Sequence, residues 1–348
     1  MSPLTLTLPR LSVALFLGAT LCLLGGCGKA KEPAALAEPS PSGAPALTQV
    51  RVQLDWYPTA EPGGHFQALL KGYYKEAGLD VTIYSGGPGS YPLQKVAIGD
   101  MDMAMGRCDD VITAAARGIP VLVVGAQMEH DPQALMVHAE GPVHSFPDLD
   151  GKSIMCEVSS AWVPYLQGKY GIHFTTIPGD YGMGRFIADK TLVQACFISN
   201  EPFYLKLQGV KTRVLLIADG GFDPYRVLLT SRRFAREHPE AVRGFLAATI
   251  RGYNDFLHGD SSEARAKIMH EDPSQSPALM DYTIETLKTS RLVEGNPAKG
   301  EQTGLITPRR MQDMVKILSD LKIVPADLPL DKFVSFDFLP PSLQPPAK

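Results

Sequence analysis

The chain has 348 residues, 45% of them hydrophobic and 20% charged, with a formal net charge of −4. This mild balance contains no basic run or stripe, which excludes a nucleic-acid footprint, and no acidic block that would mark a charged interaction tail. With the two ends set aside, roughly 290 residues remain, enough for one large or two medium domains.

Arg10 precedes an apolar stretch over 11–24 that runs into Gly25-Gly26-Cys27. A positive charge, a short apolar core and small residues at a cut site make a secretory signal, and the run is too short to span a bilayer. The Cys placed directly after Leu24-Gly25-Gly26 resembles the lipobox of bacterial lipoproteins. We therefore expect residues 1–26 to be a signal peptide and Cys27 to carry the lipid. The chain is then exported and lipid-anchored, facing the periplasm or the cell exterior. Residues 27–47, rich in Ala, Pro, Ser, Gly, Lys and Glu without hydrophobic period, read as a flexible linker.

Once Cys22 leaves with the signal and Cys27 carries lipid, Cys108, Cys156 and Cys196 remain, an odd number that cannot be fully paired. They read as small buried hydrophobes, with a Cys156–Cys196 bridge open if their strands are neighbours. No Cys-x-x-Cys, His-Glu-x-x-His or calcium loop supports a metal.

From Val50 onward short apolar strands alternate with helix-length segments, the pattern of an α/β domain. The expected order is strand 50–54, helix 66–74, strand 79–84, helix 91–98, strand 101–105, helix 108–117 and strand 121–124. After a linking strand at 134–138 a second series follows. Its strands are expected at 153–156, 175–177, 195–198 and 213–217, and its helices at 161–170, 184–188 and 202–208. The chain returns through 225–230 and is mostly helical thereafter, over 241–257, 263–270, 277–288 and 308–321. Two α/β lobes joined by two crossover segments make a clamp. The first lobe is expected to comprise 48–137 and 227–339 and the second 138–226, with a Pro-rich tail at 340–348. Ligands of open α/β sheets sit beyond the carboxyl ends of the strands, which places the site in the cleft between lobes.

The loops at those strand ends supply the candidates. The first offers Trp56, Tyr57, Glu61, Gly64 and His65: aromatic faces stack on flat ligands, and glycine lets backbone approach closely. These aromatics could equally cap the core. Gly86, Gly87, Gly89 and Ser90 lead into a helix, so their amides could face an anion or simply form a turn. Asp109 and Asp110 read as helix-capping acids. In the second lobe Glu157, Tyr181, Asn200 and Glu201 stand out. Glu201, just before Pro202, is either a helix-start charge or an acceptor for ligand N–H groups. Asp223 lies in the return crossover, where Asp223-Pro224 also favours a turn. No Gly-x-Ser-x-Gly elbow, local Ser/His/Asp arrangement or P-loop is present, so binding without catalysis or cofactor is expected.

The segments Leu54-Asp55-Trp56-Tyr57-Pro58, Lys71-Gly72-Tyr73-Tyr74-Lys75-Glu76-Ala77-Gly78-Leu79-Asp80-Val81 and Gly99-Asp100-Met101-Asp102 resemble the solute-binding proteins of ABC importers. More narrowly they look like the binders of thiamine-pyrimidine precursors, with sulfonate, nitrate and taurine binders as wider relatives. The resemblance runs over about 50–257. It implies a type II periplasmic-binding clamp and, as partners, a small-molecule solute, an ABC permease and its ATPase, and the membrane through the lipid, with the chain acting as a monomer. It also implies Trp56 and Tyr57 at the cleft, with Glu201 as the acid for a ring amino group. Those relatives carry Asn-His-Thr-Gly where this chain has Glu61-Pro62-Gly63-Gly64, so Pro62 stands at the histidine. The same family includes fungal enzymes that make the pyrimidine from pyridoxal phosphate, but their Cys-rich block is absent here.

Overall fold

The structure, a computed structural model, describes residues 46–345, so the expected signal peptide, Cys27 and nearly all of the linker lie outside the described residues. The strands of the first half are β1 (Thr48–Gln53), β2 (Leu79–Tyr84), β3 (Met103–Arg107) and β4 (Val121–Met128). Between them lie α1 (Gly63–Leu70), α2 (Tyr73–Glu76), α3 (Pro92–Ile98) and α4 (Cys108–Ala116). The second series has β5 (Gln133–His138), β6 (Ser153–Cys156), β7 (Thr175–Pro178), β8 (Val193–Phe197) and β9 (Thr212–Leu216). Its helices are α5 (Trp162–Tyr170), α6 (Gly184–Ala188) and α7 (Glu201–Leu207). The chain then forms β10 (Arg226–Ser231) and the helices α8 (Arg232–Glu237), α9 (Pro239–His258), α10 (Ser262–Glu271), α11 (Pro277–Thr289) and α12 (Pro308–Asp320).

These elements build two five-stranded sheets, ordered β2-β1-β3-β10-β4 and β7-β6-β8-β5-β9. In each, four strands run in one direction and the strand that enters after a crossover runs antiparallel to its neighbours. Helices connect the parallel strands, so both sheets point strand carboxyl ends at the space between them. This is the expected α/β two-lobe clamp.

The local chemistry explains the elements. Every residue of β4 and β10 is buried, as befits strands covered on both faces. In α9, Val242, Phe245, Leu246, Thr249, Tyr253 and Phe256 recur at helical spacing and form a continuous buried stripe. That stripe meets α1 at very short range. A Cβ on Gly63 would overlap Phe256, one on Gly64 would overlap Tyr253, and one on Gly252 would overlap the Gly64 carbonyl.

Several sequence expectations shift. The helix expected over 66–74 is two helices, because Gly72 adopts φ 77° and breaks the turn. The lobe boundary falls earlier than residue 138: β5 pairs with β8 and β9 inside the second sheet, so the first crossover is 129–132. The folded body runs past Leu339, since Leu343 is buried. Cys156 and Cys196 are free although β6 and β8 are neighbours. The register sets Met155 against Gln194, which leaves Cys196 one residue beyond the partner of Cys156. Side chains alternate along a strand, so the two thiols point into opposite faces, and each lies in a different apolar cluster.

The α1–α9 contact yields the first test. Gly252→Ala should destabilise the protein by about 1–3 kcal/mol through overpacking, whereas Gly168→Ala, in α5 with nothing near its would-be Cβ, should be neutral or stabilise by up to about 1 kcal/mol. Urea-unfolding midpoints of the two variants measure this, and equal shifts would dismiss the close-packing account.

Candidate functional site

Loops at the carboxyl ends of both sheets face one another. The loop after β1 is held by its neighbours: Gly86 donates to the Trp56 carbonyl at 2.9 Å, and Leu54 donates to that of Tyr84 at 3.0 Å. A Cβ on Gly86 would collide with the Asp55 main chain, so a glycine is needed for this approach. The buried Gln53 amide donates to the Ser85 carbonyl at 2.8 Å and accepts from Lys95 at the same distance. From this seat Trp56 reaches the second lobe. Its ring lies 5.2 Å from that of Tyr181, tilted by 42°, and 5.4 Å edge-on from Tyr57. Tyr181 follows β7, is 70% exposed, and holds a left-handed φ of 59°. Three expected aromatics thus form one cluster across the lobes.

The loop after β8 carries Glu201, the first residue of α7. One carboxylate oxygen accepts from the Phe197 amide at 2.8 Å. Burial pushes its carboxyl up to about 7, partly offset by main-chain donors and reinforced by the negative charge of Glu61. Asn200 adjoins it as the residue before the helix. Asp110, at the start of α4, is open to solvent yet crowded by protein. Desolvation, then Asp109, with Glu157 of the second lobe adding to it, pushes its carboxyl up to about 7. Glu157 is exposed and accepts from the Ser159 hydroxyl at 3.1 Å.

The nearby guanidiniums are already paired. Arg226, on β10, meets Asp55 and lies 5.4 Å over the Phe197 ring. Arg107 binds Asp109 through two bonds of 2.9 and 3.0 Å, and reaches Gln133 of the second sheet at 2.6 Å.

Other expected residues lie elsewhere or are spent. Glu61 is buried with both carboxylate oxygens engaged, by Thr59 at 3.0 Å and by Ser199 of the second lobe, so it joins the lobes instead of facing a ligand. His65 is a core residue: it is fully buried, hydrogen-bonds Tyr74 at 3.1 Å, and packs against Phe245 and Tyr253. Gly64 serves the α1–α9 contact. In the glycine loop the Gly86 and Ser90 amides are consumed internally. Gly89, at φ 78°, makes the turn, and α3 begins with Pro92, which has no N–H to offer an anion. Gly87 instead lies under the Tyr57 ring.

Asp223 belongs to the hinge. It binds His130 Nδ1 at 2.6 Å, the Asp131 amide at 3.1 Å and Arg310 at 3.4 Å. Arg310, on α12, also donates to the Glu129 carbonyl at 2.8 Å and lies 3.8 Å over the Tyr225 ring. Both crossovers are therefore fastened to one arginine. Sequence reading missed this cluster, and also Ser199, because the partners are 80 or more residues apart and no local spacing links them.

Comparison with known proteins agrees with the geometry. The family described as "NMT1/THI5 like" matches residues 61–261. The chain is 26% identical over 252 residues to a formylaminopyrimidine-binding protein of Halalkalibacterium halodurans, covering 70% of this chain and 76% of that one. It is 27% identical over 242 residues to the riboflavin-binding protein RibY of Chloroflexus aurantiacus, covering 64% and 66%. A 4-amino-5-hydroxymethyl-2-methylpyrimidine phosphate synthase of Saccharomyces cerevisiae is 26% identical over 230 residues, covering 61% and 67%. Among solved structures, the alkanesulfonate-binding protein SsuA of Xanthomonas axonopodis pv. citri superposes with a TM-score of 0.61 at 17% identity, covering 85% of this chain and all of that one. The fold is the periplasmic-binding-protein fold.

Glu201 yields a pH test. Its folded-state value of about 7 lies above the ordinary 4.5. The native state therefore keeps the proton longer than the unfolded chain, and this group's contribution to stability declines as pH rises across that window. Glu201→Gln should gain stability relative to the parent between pH 4.5 and 7. Parallel unfolding profiles for the two proteins would show that Glu201 titrates as an ordinary carboxyl.

Proposed function

The chain belongs to the NMT1/THI5-like family, and from that premise we propose that it captures a small planar nitrogen heterocycle between its lobes and delivers it to an ABC permease and its ATPase. The observation that carries this reading is Trp56 meeting Tyr181 across the lobes, with the raised Glu201 carboxyl at the start of α7 on another strand-end loop. Flat rings stack on such faces, at about 1–3 kcal/mol per base-sized ring. A carboxyl poised near neutrality suits the edge of an aminopyrimidine: protonated, it donates to a ring nitrogen and accepts from the amino group. Ionised, it accepts from a protonated ring. The named binding activities of the pyrimidine and riboflavin relatives fit the same flat, nitrogen-rich class.

Trp56, Tyr57 and Tyr181 are the proposed stacking surfaces, Glu201 and Asn200 the polar contacts, and Glu157 a wall of the second lobe. A sulfonate- or nitrate-like anion fits this lining less well. Arg107 and Arg226 are neutralised by Asp109 and Asp55, and Glu157, Glu201 and Asp110 would repel it. We read the site as a receptor and not a synthase, a reading supported by the binding activities in the names of two relatives. The protein would be exported and held at the membrane through lipid on Cys27. No helix among the described residues is long and apolar enough to cross a membrane.

Calorimetry against aminopyrimidines, riboflavin and alkanesulfonates tests this. The heterocycles should bind with affinity little changed by salt, and Trp56→Ala should weaken them by about 1–3 kcal/mol, roughly 5- to 150-fold. Binding of the sulfonate alone, lost at high ionic strength, would replace the reading with an anion carrier. For the anchor, Cys27→Ser should move the protein from the membrane fraction to the soluble exported fraction, and an unchanged distribution would remove the lipid.

A further inference from the structure

Two segments of chain cross between the lobes, but a third connection is made without any covalent link. Helix α11 and the segment that follows it are each tied to the first lobe by an ion pair or hydrogen bond. Arg265 of α10 pairs with Asp281, and His258 of α9 binds Glu294 just beyond the helix at 2.7 Å. Its middle faces the second lobe. The Tyr282 hydroxyl donates to the Ile198 carbonyl and the Thr283 hydroxyl to the Ser199 carbonyl, each at 2.8 Å. The Tyr282 ring lies 5.4 Å from that of Phe203, and the Tyr204 hydroxyl reaches the Ser274 carbonyl at 3.3 Å.

All these contacts converge on 198–204, the loop and helix start that carry Asn200 and Glu201. Ser199 is fully buried and gripped twice from the first lobe, its hydroxyl by Glu61 and its carbonyl by Thr283. We infer that α11 is a latch whose Tyr282 and Thr283 hydroxyls hold the Glu201 loop against the first lobe and so set how far the cleft opens. They are positioning residues, acting through the Ile198 and Ser199 main chain. The inference deepens the reading of the cleft as a solute trap, and it extends the binding machinery to a helix about 80 residues away in sequence.

The physical basis is simple. Opening the lobes would leave the two carbonyls and the Thr283 hydroxyl to find new partners. Each lost bond of this kind shifts an opening equilibrium by roughly two- to tenfold. Tyr282→Phe and Thr283→Val keep the shape of each side chain and remove only the donor.

Intrinsic fluorescence reads the result without a ligand. The chain has two tryptophans, and Trp162 is fully buried, so acrylamide reaches mainly Trp56 at the lobe contact. In the full-length protein, the Tyr282→Phe/Thr283→Val double variant should at least double the acrylamide quenching constant. Thr289→Val, which removes a bond within α11 to the Glu285 carbonyl, should leave the constant at the parent value. An unchanged constant in the double variant would overturn the latch, and so would an equal rise in Thr289→Val, which would trace the effect to helix integrity. If the double variant does not fold, Tyr282→Phe alone carries the test, because that side chain is only half-buried. Since no solute enters the measurement, failure of the ligand panel and failure of the latch are separate results.

Discussion

The molecule depends on how its two crossovers are tied together. The chain passes between sheets at 129–132 and 217–225, and Arg310 of α12 holds both at once. It donates to the Glu129 carbonyl and carboxylate on one side and to Asp223 on the other, while its guanidinium covers the Tyr225 ring. His130 adds a second tie, with Asp223 on one ring nitrogen and Glu301 at 3.1 Å on the other. Its pKa is raised, chiefly by the Asp223 hydrogen bond, so the imidazolium form is favoured. Such a network is strong when every member is satisfied and costly when one is removed. With both crossovers tied to α12, the strand-end loops face each other in the register that brings Trp56 to Tyr181.

Charge placement follows from that register. Each guanidinium near the lobe contact has an acid from its own or the adjoining segment, and the acids outnumber them. Three carboxyls in this region, Glu61, Asp110 and Glu201, are raised, each chiefly by desolvation. Asp110 and Glu201, each pushed up to about 7, can donate as well as accept, which on the proposed reading suits an N–H and ring-nitrogen edge. Sulfonate and nitrate binders share the fold, so the scaffold does not decide the ligand. On the proposed reading the side chains of the strand-end loops do.

Much of this organisation was legible in the sequence. Strand and helix periods alternated cleanly enough to give the two lobes, and the Trp56, Tyr181 and Glu201 loops lie at strand ends as the fold requires. What sequence could not reveal was occupancy. Glu61 looked available because Ser199, which takes one of its oxygens, comes from the second lobe 138 residues later. His65 looked like a cleft wall because its neighbours Phe245 and Tyr253 come from a helix 180 residues later. Gly64 read as a ligand approach, whereas what it admits is the Tyr253 ring of α9. In each case a local pattern had two physical uses, and long-range packing chose between them.

The aromatic contact also constrains how a solute could enter. A flat ring sandwiched between two others needs about 7 Å between them, twice the carbon–carbon contact distance. Trp56 and Tyr181 stand at 5.2 Å and are not parallel. Insertion must therefore part the lobes and level the rings, giving up a pair worth about 0.5–1.5 kcal/mol in exchange for two stacked faces. The exchange is favourable only for a ligand wide enough to touch both, and a small aliphatic anion would lose the pair and replace neither face. On the proposed reading, selectivity for flat solutes would arise from the rings' affinity for each other, with Glu201 choosing among those that pass.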